Sequence, residues 1–438
     1  MLKNDEETRI QKIEIDEKTN EPSIVVLKES EIPTENLKKN KKELPEVVLK
    51  HPKQIRMSEV IGFEMDKSIN RRKRILKNIV TVLFIAFVVA VLIYTAVNDF
   101  TSNRLPSMEV VGETLRENWY YLIFAFISVG LFFLAKGAGR SAVCRSVTGK
   151  FMPSTAFNAG VVCQFYNNIT PLAMGGQPFE ISYYVKKGID GGHASSVTIS
   201  TYLINMFVYA TLFLISILAY KYNWLGYAPN ANGESIYSYF PSYIYIAAII
   251  GTVISLFAPL SILVFCLFPK LGAILVNAYV WLVSKLHLTK NAKTLKVKIL
   301  RSVIVNARSM KKLFKKPATL SFATVFSIAE ALANASIAYF TLRFFGFNWA
   351  SDGFLEWMQV VNAVLLITAA ASFIPTPGSS GAADFSFYSL FSKELLPGFA
   401  FPAMLSWRLL TFYLMILFGF VYIKTIIKKD LAHLEHVD

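Results

Sequence analysis

Asn167-Asn168-Ile169-Thr170-Pro171-Leu172-Ala173-Met174-Gly175-Gly176-Gln177-Pro178-Phe179-Glu180 interrupts an apolar run with prolines, a glycine pair, amides and a carboxylate. An ordinary membrane helix carries leucines in such a place. A second interruption follows at Ile374-Pro375-Thr376-Pro377-Gly378-Ser379-Ser380-Gly381-Ala382-Ala383-Asp384. Broken helical backbone at membrane depth is tolerated only where protein buries it or where it lines a cavity. Two such breaks, one in each half of a chain, are the sequence pointer to a midplane binding site. The expected fold is therefore all-α: a polytopic helical membrane protein with two re-entrant broken-helix hairpins related as an inverted repeat.

Composition supports the membrane reading. The 438 residues are 54% hydrophobic, with a mean hydropathy of +0.43, beyond an ordinary soluble domain. The formal charge of +15 is unevenly placed, because 269–317 holds twelve Lys/Arg and no Asp or Glu. In a membrane protein such a loop reads as cytoplasmic and facing anionic lipid. No nucleic-acid-binding pattern accompanies it, so no nucleic acid partner is expected. Cys144, Cys163 and Cys266 lie far apart without CxxC spacing, which suggests neither a disulfide framework nor a metal site.

Residues 1–70 are rich in Lys and Glu and lack an apolar period, which reads as a disordered or loosely structured cytoplasmic tail. The start shows no signal-peptide pattern. Arg71-Arg72-Lys73-Arg74 before the first apolar run fixes the N-terminus inside. Spans are expected at 76–97, 119–137, 194–219, 243–268, 319–342, 354–373 and 399–423, each near the ~20 residues that a bilayer requires. A basic cytoplasmic segment carrying Lys136, Arg140, Arg145 and Lys150 follows the second. The loops at 98–118 and 221–241 belong outside. Residues 151–187 enter and leave on the inner side, and 354–396 enter and leave on the outer side. The run 271–286 sits near the inner interface, and 299–314 has the spacing of an interfacial amphipathic helix. The C-terminus is inside, ending in a short tail at 430–438.

The two breaks align in part. Glu180 and Asp384 each lie nine residues after a proline, Pro171 and Pro375, and Ser182 and Ser386 follow two residues after the acids. Glu180, Asp384, Glu330 and Arg408 are intramembrane charges by position, and each such charge costs at least ~2.5 kcal/mol on insertion scales. Arg408 cannot lose its proton, so it needs a carboxylate, Asp384 or Glu180, or a lipid phosphate. Glu330 has no break beside it and reads as an interhelical hydrogen-bonding group. The helix starts after Gly176 and Gly381 offer backbone N–H groups to an anion, or simply permit the turn. Other signals are weaker: His193 reads as structural, and the Asn168-Ile169-Thr170 triplet falls in the inner hairpin rather than on a glycosylated surface. No nucleotide loop, HExxH or nucleophile elbow appears, and no cofactor or metal is expected.

These motifs carry a resemblance. Pro171 through Glu180, the stretch 188–194, Pro375-Thr376-Pro377-Gly378 with Gly381 and Asp384, and Trp407-Arg408 resemble the lysylphosphatidylglycerol synthase transmembrane-domain family. This is the flippase-like membrane portion of the bacterial multiple peptide resistance factor. The likeness covers 75–425, within a membrane domain set at 71–429. It implies a cell-membrane protein that moves anionic or lysylated phosphatidylglycerol between leaflets, in the service of envelope charge and resistance to cationic peptides. Two departures stand out. Ser379 replaces the second glycine of the family's Pro-Gly-Gly pattern, and Asp384 replaces its glutamate. The lipid-binding set expected on this basis is Asn168, Pro171, Gly175, Gly176, Gln177, Glu180, Pro375, Pro377, Gly378, Gly381, Asp384 and Arg408, with no catalytic residue. The sequence reaches Asp438 with no soluble aminoacyltransferase stretch, so lysyl transfer is expected to need a separate aminoacyltransferase. The alternative is that the protein itself is a phosphatidylglycerol lysyltransferase, or its membrane subunit, using lysyl-tRNA. Membrane phospholipids are the expected partners, with a homo-oligomer allowed.

Overall fold

The computed structural model describes residues 9–15, 22–28, 93, 97, 107–170, 175–225, 242–267, 313, 315–347, 353–374, 376–428 and 430. All but residues 93 and 97 of the expected first span 76–97, the 271–286 run, nearly all of 299–314, residues 226–241 of the outer loop expected at 221–241, and the tail 431–438 lie outside them. The chain divides into two compact units, one of residues 1–73 with 287–290 and one of 74–286 with 291–438. In the first, β1 (Arg9–Ile15) pairs antiparallel with β2 (Pro22–Lys28), Ile13 opposite Ile24.

The second unit is all-helical among the described residues. Its elements are α1 (Met108–Thr148), α2 (Pro153–Ile169), α3 (Gly176–Lys186), α4 (Gly191–Lys221), α5 (Ser242–Leu267), α6 (Pro317–Phe344), α7 (Gly353–Ala371), a single 3-10 turn (Pro377–Ser379), α8 (Ala382–Phe391) and α9 (Ala400–Ile427). Six of them, α1, α4, α5, α6, α7 and α9, are long and apolar enough to cross a membrane. The protein is a multi-pass helical membrane protein.

Local chemistry sets the helix limits. Ser107 caps α1 by accepting from Val110 N, and Gly149 ends it at φ +77°, giving its N–H to Arg145 O. Pro153 and Pro317 open α2 and α6, where a missing N–H costs nothing. Asp190 caps α4 through Gly192 N at 2.9 Å. One expectation needs correcting here. Residues 136–148 are not a separate basic segment after a span but the last turns of a 41-residue helix, roughly 60 Å long at the ordinary rise. The apolar run read as 119–137 continues because Phe132, Val143 and Cys144 stay buried against α2 and α6.

The first hairpin is α2 and α3. With 17 and 11 residues they reach only about 26 and 17 Å, short of the ~30 Å hydrocarbon layer. Tyr166 and Phe179 stack across it with centroids 3.5 Å apart. The second hairpin is asymmetric. Its leading arm α7 is long enough to cross and is the most buried of the six, whereas α8 has ten residues. Gly251 lets α5 lie directly on Ala369 of α7, a place any Cβ would occupy.

Candidate functional site

At the first break, the turn backbone is held by the chain's own side chains. Gly175 N donates to Thr170 Oγ1 at 2.9 Å and Gly176 N donates to Asn167 Oδ1 at 2.8 Å. A Cβ at Gly176 would run into Cys163 O and Asn167, so glycine is required by the close approach of α3 to α2. Gln177 is half-buried on the first turn of α3. Asn168 is buried and accepts from Gln164 Nε2 at 2.9 Å, while its own Nδ2 has no partner among the described residues. Pro171 and Pro375 fall outside the described residues.

Glu180, almost wholly buried, accepts from Arg140 Nε at 3.1 Å. Arg140 lies one turn beyond Lys136 on α1, and Lys136 Nζ stands 2.5 Å from Glu330 Oε1 on α6. Glu330 Oε2 also accepts from Asn205 Nδ2 of α4 at 3.4 Å, and Asn205 Oδ1 accepts from Ser327 Oγ at 2.5 Å. Gly160 of α2 faces the stems of both cations. Two cations and two carboxylates thus share one dry region, where each charge is offset by its neighbour. Glu330 hydrogen-bonds between helices as expected, but it is also an ion-pair partner. Lys136 and Arg140 were read as cytoplasmic loop charges and are in fact buried. Their i, i+4 spacing inside an apolar run was the available sign that both lie on one inward face.

At the second break, consecutive left-handed residues make the turn, Gly378 at φ +59° and Ser379 at φ +53°. Serine at such a φ is strained where glycine is not. Pro377 begins the turn, and Gly381 at φ +88° follows it. Asp384 Oδ2 accepts from Gly381 N at 2.7 Å, and Asp384 Oδ1 accepts from Arg408 Nε. The same guanidinium donates to Gly378 O at 3.2 Å and Ser379 O at 3.4 Å. Arg408 therefore satisfies the carbonyls that the break releases and neutralises the acid beside it. It also lies over the Trp407 ring, which stacks on Phe387 of α8 at 4.6 Å. Trp407 Nε1 is buried without a partner among the described residues. A π-helical turn, Leu409–Tyr413, follows Arg408 directly.

The acid of each break finds its arginine in the opposite chain direction: Arg140 precedes Glu180, and Arg408 follows Asp384. The helix α2, which leads into the first break, packs against the turn Pro377–Ser379 of the second. The last helix α9 straps them together. Its Arg408 holds the second break, while its Met415 lies 3.9 Å from Gln164 and its Gly419 lies against Phe165 of α2. The backbone donors at Gly175, Gly176 and Gly381, expected as anion donors, are satisfied by Thr170, Asn167 and Asp384.

A further set of residues, not anticipated, ties the first hairpin to the chain's end. Lys187 Nζ is 2.5 Å from Asp430 Oδ1, and Tyr183 Oη donates to Asp430 Oδ2 at 2.8 Å. Asn158 Nδ2 donates to Tyr183 Oη at 3.0 Å, and Asn158 Oδ1 accepts from Tyr422 Oη at 2.7 Å. Asp430 lies beyond the last span. Burial alone would raise its carboxyl, but the hydrogen bonds from Lys187 and Tyr183 outweigh that and hold it below the ordinary carboxylate range.

No curated protein and no solved structure matches the chain. The family model described as the lysylphosphatidylglycerol synthase TM region matches residues 78–419, which hold both breaks and every buried ion pair described above. The chain belongs to the lysylphosphatidylglycerol synthase transmembrane-region family, as a multi-pass membrane protein of that lipid pathway.

Proposed function

We propose that this protein moves anionic or lysylated phosphatidylglycerol between leaflets of the cell membrane, its headgroup passing between the two breaks. The observation that carries this reading is the packing of α2, the arm that leads into the first break, against the turn Pro377–Ser379 of the second. Asn168 Nδ2 in the first break and Trp407 Nε1, next to the Arg408 that holds the second, are buried donors without an acceptor among the described residues. A buried unpaired donor costs ~1–3 kcal/mol, and a headgroup oxygen would relieve it. The arginine–carboxylate pairs offer both charges to a headgroup carrying a phosphate and ammonium groups. On this reading the hairpins form an inverted repeat, both termini are cytoplasmic, and lysine is attached to the lipid by a separate aminoacyltransferase. The work serves envelope charge and resistance to cationic peptides.

The second reading, lysyl transfer by this chain itself, is favoured by the family's description as a synthase region. The two separate in liposomes of phosphatidylglycerol with lysyl-phosphatidylglycerol on the inner leaflet, given or denied lysyl-tRNA. Inner lysyl-phosphatidylglycerol is expected to become reactive to an external amine reagent without tRNA, faster than in protein-free liposomes. New lysyl-phosphatidylglycerol made only with charged tRNA, and no leaflet exchange, would overturn the transport reading.

A further inference from the structure

Among the described residues, five buried or half-buried ion pairs are Arg140–Glu180, Arg408–Asp384, Arg343–Glu356, Lys136–Glu330 and, beyond the last span, Lys187–Asp430. The first three contain a guanidinium, which stays charged in a protein. In Lys136–Glu330 both partners can exchange a proton. The groups around it are accounted for. Arg140, also on α1, and Tyr209 of α4 are in electrostatic reach of Glu330, and Asn205 holds its second oxygen. Glu180 and Tyr184 of α3 and Cys163 of α2 lie around Arg140. Phe132 of α1 faces Lys136 Nζ at 4.8 Å.

A second feature lies at the same height. A groove of about 370 Å³ runs between α1 and α6, walled by Leu131, Leu134 and Ala135 on one side and Ala329, Ala333 and Phe340 on the other. Ala135 and Ala329 are the immediate chain neighbours of Lys136 and Glu330, so the groove and the pair share a level along each helix, while the pair itself is turned inward and does not form the groove wall. Leu131 and Leu134 are about half exposed, which opens the groove to the membrane. Its two serines are spent on the backbone, Ser128 on Phe124 O and Ser336 on Leu332 O, leaving an apolar trough. Such a trough takes a hydrocarbon chain, and Lys136, buried at the same level, is the cation whose charge complements a phosphate at that chain's head.

Building on the lipid-moving function, we propose that Lys136 is a phosphate site for the moving lipid, that a proton on Glu330 opens it, and that the α1–α6 groove holds an acyl chain. The step balances simply. A proton from water adds to a Glu330 oxygen, forming one O–H bond and breaking none in the lipid. The ammonium of Lys136, released from its carboxylate, then pairs with the phosphate monoanion. Proton and lipid anion together carry no net charge, so a proton gradient can drive the lipid from the acidic to the alkaline side.

The test follows leaflet exchange of labelled phosphatidylglycerol by the full chain in liposomes from mildly acidic to mildly alkaline pH. The wild type is expected to speed up as pH falls, by up to ~10-fold per unit, the limit for one proton. Glu330→Asp should keep that slope. Glu330→Gln and the folded, uncharged pair Lys136→Met/Glu330→Leu should flatten it, a response that a purely structural pair would not give. Wild-type exchange with no pH slope, or the wild-type slope kept in Glu330→Gln, would overturn the coupling. Inhibition by millimolar inorganic phosphate would mark a free-anion site and overturn the lipid assignment, and no inhibition is expected. If the wild type exchanges no lipid at any pH, the transport function itself fails. Proton uptake by the detergent-purified chain on adding phosphatidylglycerol then decides the site, near one proton supporting it and none overturning it.

Discussion

Arg140 Nε donates to Glu180 Oε1 at 3.1 Å, with both side chains nearly closed to solvent. Neither charge can be removed alone without stranding the other in a medium that solvates it poorly. Arg140→Ala is expected to cost ~3–5 kcal/mol, and Arg408→Ala a similar amount through Asp384, whereas Arg140→Met/Glu180→Leu should come near neutral. Thermal unfolding of the detergent-solubilised chain measures this. A small loss in both single variants would place the pairs in a far more polar setting than their burial implies.

Gly176 and Gly378, like Gly251, have no room for a side chain, whereas Gly112 has. A Cβ at Gly176 meets Cys163 O and Asn167, and one at Gly378 meets the Phe412 ring at a left-handed φ. Alanine at either should lower stability by ~1–3 kcal/mol through overpacking, with added strain at Gly378. Gly112 of α1 has open space around it, so Gly112→Ala should gain ~0.5–1 kcal/mol from helix propensity. The order of the three melting temperatures is the check.

The tie between Lys187 and Asp430 has a definite pH sign. The Asp430 carboxyl is held below its ordinary value, so its contribution is whole above that value and fades as pH falls through the lower folded one. The difference in melting temperature between wild type and Asp430→Asn should therefore stay constant from neutrality to about pH 5 and shrink below about pH 4. A difference that shrinks near neutrality would contradict the hydrogen bonds from Lys187 and Tyr183.

Sidedness follows from which helix ends share a face. Lys187 and Asp430 meet, and Lys316 Nζ reaches Ser146 O, which brings the ends of α1, α3 and α9 together with the start of α6. Single cysteines at Lys150 and Lys428, in a chain with its three native cysteines replaced, should label from the cytoplasmic side, and one at Asn223 from outside. Labelling of Lys150 and Asn223 from the same side would undo the topology.

The apolar runs at 153–168, 194–219, 243–268, 319–342 and 354–373 became helices close to their expected limits, because Pro and Gly punctuate them locally. The pairing of Arg408 with Asp384 was one of the partners open to Arg408, since a buried guanidinium needs an anion. Lys136 and Arg140 were misplaced for a physical reason. Their partners lie 194 and 40 residues away, and sequence shows a cation without showing the carboxylate that folding brings to it. The strap formed by α9, the Asn158–Tyr183–Asp430 cluster and the α1–α6 groove are likewise tertiary arrangements with no local signature.

Under the proposed function, the paired carboxylates at the breaks serve a passing headgroup as well as the fold. The most direct measurement of that role is the leaflet-exchange rate per folded protein of Glu180→Gln and Asp384→Asn, with Gly112→Ala as the reference. At least a ~10-fold loss, or ~1.4 kcal/mol, is expected in each carboxamide variant while the reference keeps its rate. Carboxamide variants that fold and exchange lipid at the reference rate would contradict it.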